Sequence, residues 1–433
     1  MRFFSISTPF FVEDFKAFLW SASLLCVGLL SFSCDTKDSV LPYQGQVFIK
    51  LYGGNGSEEG RDIIALSDGG FIAVGSTTTL SAGGKDVYVM RADNLGNVIW
   101  ENRYGKAGDD IGNAVILGND GSVYICGESL QDNAQLVQNR DVYVLKLALD
   151  NGALLNEEFY GDSLRDEYGT SILDIKNGGF LITSTWLNKD SSEFFMVETD
   201  VDLVPLAKRS RYVSGIKGVN NYSTRSFQNP GDVSNPSTKP FICFGSVYDV
   251  TEKSYFFQLF KYNPLVTQLE AIELLGNPAS DDYCTDVFAT SDGGYVLAGK
   301  TVNGNLEREM VIKVSSSNDQ LWQKVYNNEF NKRVKESGII QTSDGGYMVV
   351  STLELDDPLN NEISLLKLNF RGDEEWRKTF GSNENDTGSK VVQLADGSYV
   401  LVGTIGFEIN PNSQSKMCLI KVNPNGDLVP MDN

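Results

Sequence analysis

A chain of 433 residues with 57 acidic and 36 basic side chains has a formal net charge of −21. That balance argues against a nucleic-acid partner, because phosphate binding needs a concentrated basic surface. The absence of any histidine excludes Ser–His–acid and Cys–His triads, His-based zinc sites and every His general base. Catalysis would have to rest on Asp, Glu, Lys, Tyr or Arg. The six cysteines, at 26, 34, 126, 243, 284 and 418, include no CxxC pair, so zinc and thioredoxin-type chemistry have no support. Cys126, Cys243 and Cys418 fall between apolar neighbours in expected strands and read as buried free thiols.

In chain order, the first expected element is an uncharged apolar stretch, AFLWSASLLCVGLLSF (17–32), following Arg2 and Lys16. It is shorter than the ~20 residues a bilayer span needs, and its layout is that of a signal peptide. It closes on Ser31-Phe32-Ser33-Cys34, before the polar run DTKDS. This ending resembles the lipobox of bacterial lipoproteins, with Phe32 bulkier than usual and Leu30 one place early. The resemblance implies a signal peptide over 1–33, an acylated Cys34 and a tether over 34–44. The other reading is a plain N-terminal transmembrane anchor. A relaxed box ending SC and followed by acidic residues resembles lipoproteins of the Bacteroidota, where such acids can direct export to the cell surface. In other Gram-negative bacteria an Asp at the place of Asp35 favours inner-membrane retention, which leaves the leaflet open. The expected address is the cell envelope, at the outer membrane or cell surface.

Residues 45–433 read as one repeat array. The phrases DGGFIAVGS (68–76), DGSVYICGE (120–128), NGGFLITST (177–185), DGGYVLAGK (292–300), DGGYMVVST (344–352) and DGSYVLVGT (396–404) recur, and KPFICFGS (239–246) fills the gap in the series. With Thr238 as the missing start, the spacings are 52, 57, 61, 54, 52 and 52. A period near fifty built from short strands and Gly-rich turns predicts a β-propeller. Each copy holds four strand signals: a run such as GNAVILG (112–118), the segment after the Asp-Gly turn, a third strand such as DVYVMRA (86–92), and a fourth such as NVIWENRYG (97–105). Asp-Gly is expected to form a two-residue hairpin with positive φ.

Two columns support blades. The seventh residue after the turn Asp is small in every copy (Gly75, Gly127, Ser184, Gly245, Gly299, Ser351, Gly403), as crowding near an axis requires. The third is aromatic at Phe71, Phe180, Phe241, Tyr295, Tyr347 and Tyr399, which suits packed blade faces. Trp100, Trp322 and Trp376 share a place in the fourth strand and are expected to pack blades together. The final repeat stops at GDLVPMDN without this strand, while GQVFIKLYG (45–53) supplies it at the start, with Phe48 in the tryptophan column. The prediction is an all-β, seven-bladed propeller of four-stranded antiparallel blades, the last closed by residues 46–52. The mature chain resembles the DGGY-[VL]-AG repeat propellers of secreted bacterial and archaeal proteins, distantly like quinoprotein-type and kelch propellers. That resemblance implies a fold and little about activity. A quinone dehydrogenase would want a vicinal cysteine pair, which is absent.

Ten residues before the turn Asp lies a recurrent acid: Glu58, Asp110, Glu167, Asp282 and Asp386. Blades four and six depart from it, blade six with Val334. Around a channel mouth these carboxylates would make a Ca²⁺ or polyol site; the other reading is a carboxylate accepting backbone N–H bonds wherever the repeat geometry recurs. The turn residues Asp68, Asp120, Asp292, Asp344 and Asp396 read as hairpin formers. Walker, EF-hand and dinucleotide motifs are missing. The expected function is a monomeric, cofactor-free, membrane-anchored module binding an envelope protein or glycan through variable loops such as 129–141 and 352–363. The alternative is an extracellular carbohydrate-active enzyme using paired carboxylates on the top face.

Overall fold

The computed structural model describes residues 46–429, apart from 133–137, 163–164, 176–177, 189–190, 207–210, 214–218, 229–240, 264–269, 327–332, 355–360 and 410–411. The expected signal peptide (1–33), Cys34 and the tether (34–44) lie outside the described residues. So do the start of the seventh repeat copy and the tips of both variable loops.

Alternating apolar runs punctuated by Gly turns give strands throughout, and the described residues contain 28 of them and no helix. The N-terminal strand is β1 (Phe48–Tyr52). Blade 1 holds β2 (Glu58–Ala65), β3 (Phe71–Thr77), β4 (Asp86–Ala92) and β5 (Val98–Tyr104). Blade 2 holds β6 (Asp110–Leu117), β7 (Val123–Asp132), β8 (Gln138–Leu147) and β9 (Leu154–Tyr160). Blade 3 holds β10 (Asp166–Asp174), β11 (Phe180–Asn188), β12 (Ser191–Thr199) and β13 (Arg211–Val213). Blade 4 holds β14 (Val219–Gln228), β15 (Phe241–Asp249), β16 (Ser254–Tyr262) and β17 (Glu270–Leu275). Blade 5 holds β18 (Asp281–Ala289), β19 (Tyr295–Asn303), β20 (Leu306–Val314) and β21 (Gln320–Tyr326). Blade 6 holds β22 (Arg333–Gln341), β23 (Tyr347–Glu354), β24 (Asn361–Leu368) and β25 (Glu374–Phe380). Blade 7 holds β26 (Thr387–Gln393), β27 (Tyr399–Ile409) and β28 (Asn412–Val422), and β1 completes it.

The result is a seven-bladed β-propeller of antiparallel four-stranded sheets. Ring closure follows the sequence expectation: β1 pairs with β28 from Phe48↔Lys421 to Tyr52↔Met417. Phe48 then lies against Gly96 of blade 1, and the Tyr52 hydroxyl donates to the Gly96 carbonyl at 2.8 Å. Trp100 and Tyr104 treat Gly152 of blade 2 the same way, Trp322 and Tyr326 treat Gly372, and Trp376 covers Gly426. The tryptophan column is therefore an interblade contact, as expected.

The core consists of seven apolar clusters among the described residues, each shared by two adjacent blades. Middle strands are covered on both sides, so β3 is buried along its whole length and its residues read as a continuous apolar run instead of an alternating one.

Two local expectations need correction. The Asp-Gly turns are not two-residue hairpins: Leu66 N–H bonds the Gly70 carbonyl at 2.8 Å, and in the turn between them Gly69 alone takes a positive φ, of 83°. Asp68 stays in ordinary backbone space and accepts the Gly70 N–H at 2.9 Å, an Asx-type turn. The small column owes its size to contact inside one blade, not to blades converging on the axis. A Cβ at Gly75 would collide with the Glu59 carbonyl oxygen of the adjoining strand.

Candidate functional site

The acidic column sits at or beside the start of each first strand, and all five members are fully buried. Glu58 accepts the Gly54 N–H at 3.2 Å and the Thr77 hydroxyl at 2.9 Å, and pairs with Lys416 at 2.6 Å. Asp110 accepts the Lys106 N–H at 2.6 Å. Asp282 accepts from Asn277 N–H at 2.8 Å and the Ser280 hydroxyl at 2.9 Å. Asp386 accepts the Gly406 N–H at 2.9 Å and that of Ser382.

A side chain on the glycine closing the preceding fourth strand (Gly53, Gly105, Gly161, Gly276 or Gly381) would run into the acid of the next blade. The ending of that strand, Tyr-Gly or Phe-Gly in four blades and Leu275-Gly276 in blade 4, and the acid that follows thus form one latch between blades. The structure places these carboxylates under the incoming loop and not around an open mouth. Among the described residues no group of three or more Cys, Asp or Glu stands together to hold a metal. In blade 4, where the column lapses, buried Asn221 takes the place.

Burial raises the pKa of Asp110, Asp282 and Asp386 despite their hydrogen bonds. Asp386→Ala orphans two backbone N–H groups and should cost about 1–3 kcal/mol. The drop in thermal midpoint should be identical with and without millimolar Ca²⁺. A calcium-induced rise in the unmodified protein that disappears in the variant would place a metal on this column.

Three residues beyond each acid is a position the sequence reading passed over. Every first strand breaks register there, leaving Arg61, Asn113, Thr170, Thr285 and Ser389 as bulged residues, with Thr224 in blade 4 and Lys335–Glu336 in blade 6. A bulge re-aims its side chain, and these line the central channel, a cavity of about 330 Å³. They also tie the ring together. Asn113 Nδ2 donates to the Gly169 carbonyl at 3.0 Å, Thr224 to Cys284 at 3.1 Å, Thr285 to Ser337 at 2.8 Å and Ser389 to Gly60 at 2.7 Å. The available signal was an acid followed three places on by a polar residue just where the apolar run should begin.

One position further, the channel carries charge. Asp286 accepts the Ile339 N–H at 2.8 Å, bonds the Lys390 ammonium across the channel and lies 3.6 Å from Arg225. Asp62 accepts the N–H groups of Ile63 and Val115, each at 2.9 Å. Burial pushes both carboxyls up. For Asp286 the Lys390 and Arg225 charges outweigh burial and hold it below the usual range, whereas Asp62 stays raised. Burial lowers the Lys390 pKa. Towards the rim, Arg61 lies 3.2 Å from Glu59 and 3.9 Å from Glu336, and Lys85 pairs with Glu59 at 2.8 Å. A second cavity of about 290 Å³ shares Arg61, Glu336 and Ser389 with the channel.

Chemically, the channel offers hydroxyls, an amide and compensated charges. Its two buried aspartates are committed to backbone N–H groups and cations, which suits reversible polar binding better than acid–base work. Cys284, the cavity's thiol, is buried and its pKa is raised by that burial.

No protein-family model matches the chain, and no curated protein sequence matches it. Solved structures do share the architecture. An ulvan lyase of polysaccharide lyase family PL25 superposes with a TM-score of 0.55 at 11% identity, covering 85% of this chain and 95% of that one. Its complex with -[GlcA(1-4)Rha3S]- gives 0.53 over the same shares. A protein of unknown function from Dyadobacter fermentans gives 0.51 at 10% identity, covering 87% of this chain and 98% of its own. At these identities the likeness establishes the propeller fold alone.

Proposed function

We propose that the protein is an extracytoplasmic binding or scaffolding module. Acylated Cys34 tethers it to the cell envelope, and the channel mouth takes a polar ligand, an envelope protein segment or a glycan. The carrying observation is the channel lining: seven blades each bulge a side chain into one open cavity, and those side chains are almost all polar or charged. Polar groups converging on one concavity are a usual mark of a ligand site. The ulvan lyase of the same architecture was solved with a saccharide bound, so the scaffold is compatible with one. In the channel both aspartates accept backbone N–H groups, which favours the binding reading over the carbohydrate-active-enzyme alternative.

Two measurements test this. Cys34→Ser should move the protein from the membrane to the soluble fraction with its thermal midpoint unchanged, and mass spectrometry should find lipid on Cys34 of the native N-terminus. An intact Met1 would overturn the anchor. Arg61 and Glu336 are partly exposed at the rim, so Arg61→Ala with Glu336→Ala should leave stability within about 0.5 kcal/mol. The pair should weaken capture of the envelope ligand at least tenfold; unchanged capture would remove the channel mouth from the function.

A further inference from the structure

We propose that the tyrosine cluster at the seam between blades 4 and 5, beside the channel mouth, is a stacking subsite for the pyranose rings of a neutral oligosaccharide. The inference deepens the binding reading above and rests on it. Four tyrosines meet there on the face that carries the hairpins between second and third strands. Tyr222 and Tyr283 come from the first strands of the two blades, β14 and β18, and Tyr248 and Tyr255 flank the β15–β16 hairpin. Tyr255 is the hub, with ring centroids 4.7 Å from Tyr283, 5.1 Å from Tyr248 and 6.4 Å from Tyr222. Each of the outer two on the first strands directly precedes a residue of the channel lining, Ser223 and Cys284.

This cluster differs from the structural tyrosines of the fold. Tyr52, Tyr160 and Tyr326 are buried, and each donates its hydroxyl to a turn carbonyl of the next blade. Tyr88 and Tyr143 are buried on Glu101 and Glu157. At the seam all four rings are partly open, Tyr222 40% exposed. Only Tyr255 has a hydroxyl partner among the described residues, Asn220 Nδ2 at 3.4 Å. Tyr168, the same position in blade 3, has the Arg140 guanidinium 5.8 Å from its ring centre, and Tyr283 has the Lys300 ammonium at 5.9 Å, itself paired with Glu307.

Partly open rings, three of them with no hydroxyl partner among the described residues, match a ligand that is apolar on the faces of its rings and hydroxylated at their edges. A pyranose fits that description. Neutrality follows from charge: the whole chain carries −21. An acidic saccharide would find the channel cations Lys390 and Arg225 already met by Asp286.

The test is calorimetry on the purified full-length protein. The probes are neutral hexasaccharides (β-glucan, β-mannan and β-xylan series) and a hexagalacturonate control. At least one neutral hexasaccharide should bind, and Tyr222→Ala or Tyr283→Ala should weaken it at least tenfold with the thermal midpoint retained. Tyr222→Phe should weaken it less than Tyr222→Ala. The proposal is overturned by binding that ignores these substitutions, by binding of the hexagalacturonate alone, or by no saccharide binding at all. In the last case capture of a protein ligand that still depends on Arg61 and Glu336 would leave the broader binding reading standing.

Discussion

A chain beginning at Gly54 should unfold at a much lower denaturant concentration than the full chain, by the equivalent of at least about 3–5 kcal/mol, the cost of deleting one large buried aromatic. Removing β1 strips Tyr52 from the cluster it shares with Phe71, Met90, Val400 and Met417. It also leaves β28 as an open edge with a row of unpaired backbone groups. The loss is cooperative, because the strand belongs to blade 7 by hydrogen bonding and to blade 1 by side-chain contact. Tyr52→Phe isolates the single bond to the Gly96 carbonyl and should cost only about 1 kcal/mol. An unchanged midpoint on deleting residues 1–53 would refute the closure. Increased self-association of the truncated chain, seen by light scattering, should accompany the loss of stability.

The second large effect is expected at the channel. Lys390→Met removes the ammonium that neutralises buried Asp286 and should cost about 3–5 kcal/mol at neutral pH, as for other half-removed buried ion pairs. Lys390→Met with Asp286→Asn should recover most of that, because no uncompensated charge remains.

The pH dependence carries a definite sign. In the unmodified protein the carboxyl of Asp286 is held below its ordinary value. Its contribution is therefore full above the unfolded pKa of about 3.9 and is lost as pH falls through the lower folded value. Without Lys390, burial would raise the Asp286 pKa, so its contribution would be full below about pH 3.9 and lost as pH rises through the raised folded value. The stability gap between the two proteins should thus be widest near neutral pH and narrow below about pH 4. A gap that is flat across that range would show that the pair is not electrostatically coupled. Asp62, Asp110, Asp282 and Asp386 all have raised values. They act in the opposite sense to Asp286: their contributions are full in acid and decline as pH rises through their folded values.

Much of the architecture was legible in the chain because propellers repeat. The Asp-Gly phrase, the aromatic third position and the tryptophan column recur at a near-constant spacing, and each reports a contact that the same geometry repeats from blade to blade. The displaced fourth strand, GQVFIKLYG, was readable for the same reason: one copy of a column was missing at the end and present at the beginning. The acidic column was equally visible, but its direction was not. Sequence spacing places Asp110 or Asp282 at the start of a strand, while only the three-dimensional path of the preceding loop shows the carboxylate enclosed beneath it.

The repeat pattern by itself determined the fold class, the blade number and the manner of closure, since each depends on contacts between residues at fixed offsets along the chain. Tertiary structure alone decided the site. The bulges that turn Arg61, Asn113 and Thr285 into the channel are single-residue register breaks that leave no mark in composition. The Lys390–Asp286 bond joins blades 7 and 5 across the axis, and the tyrosine cluster gathers rings from two blades. The first of these depends on closing the ring, which brings together residues 104 positions apart that no local periodicity relates, and the second on packing neighbouring blades.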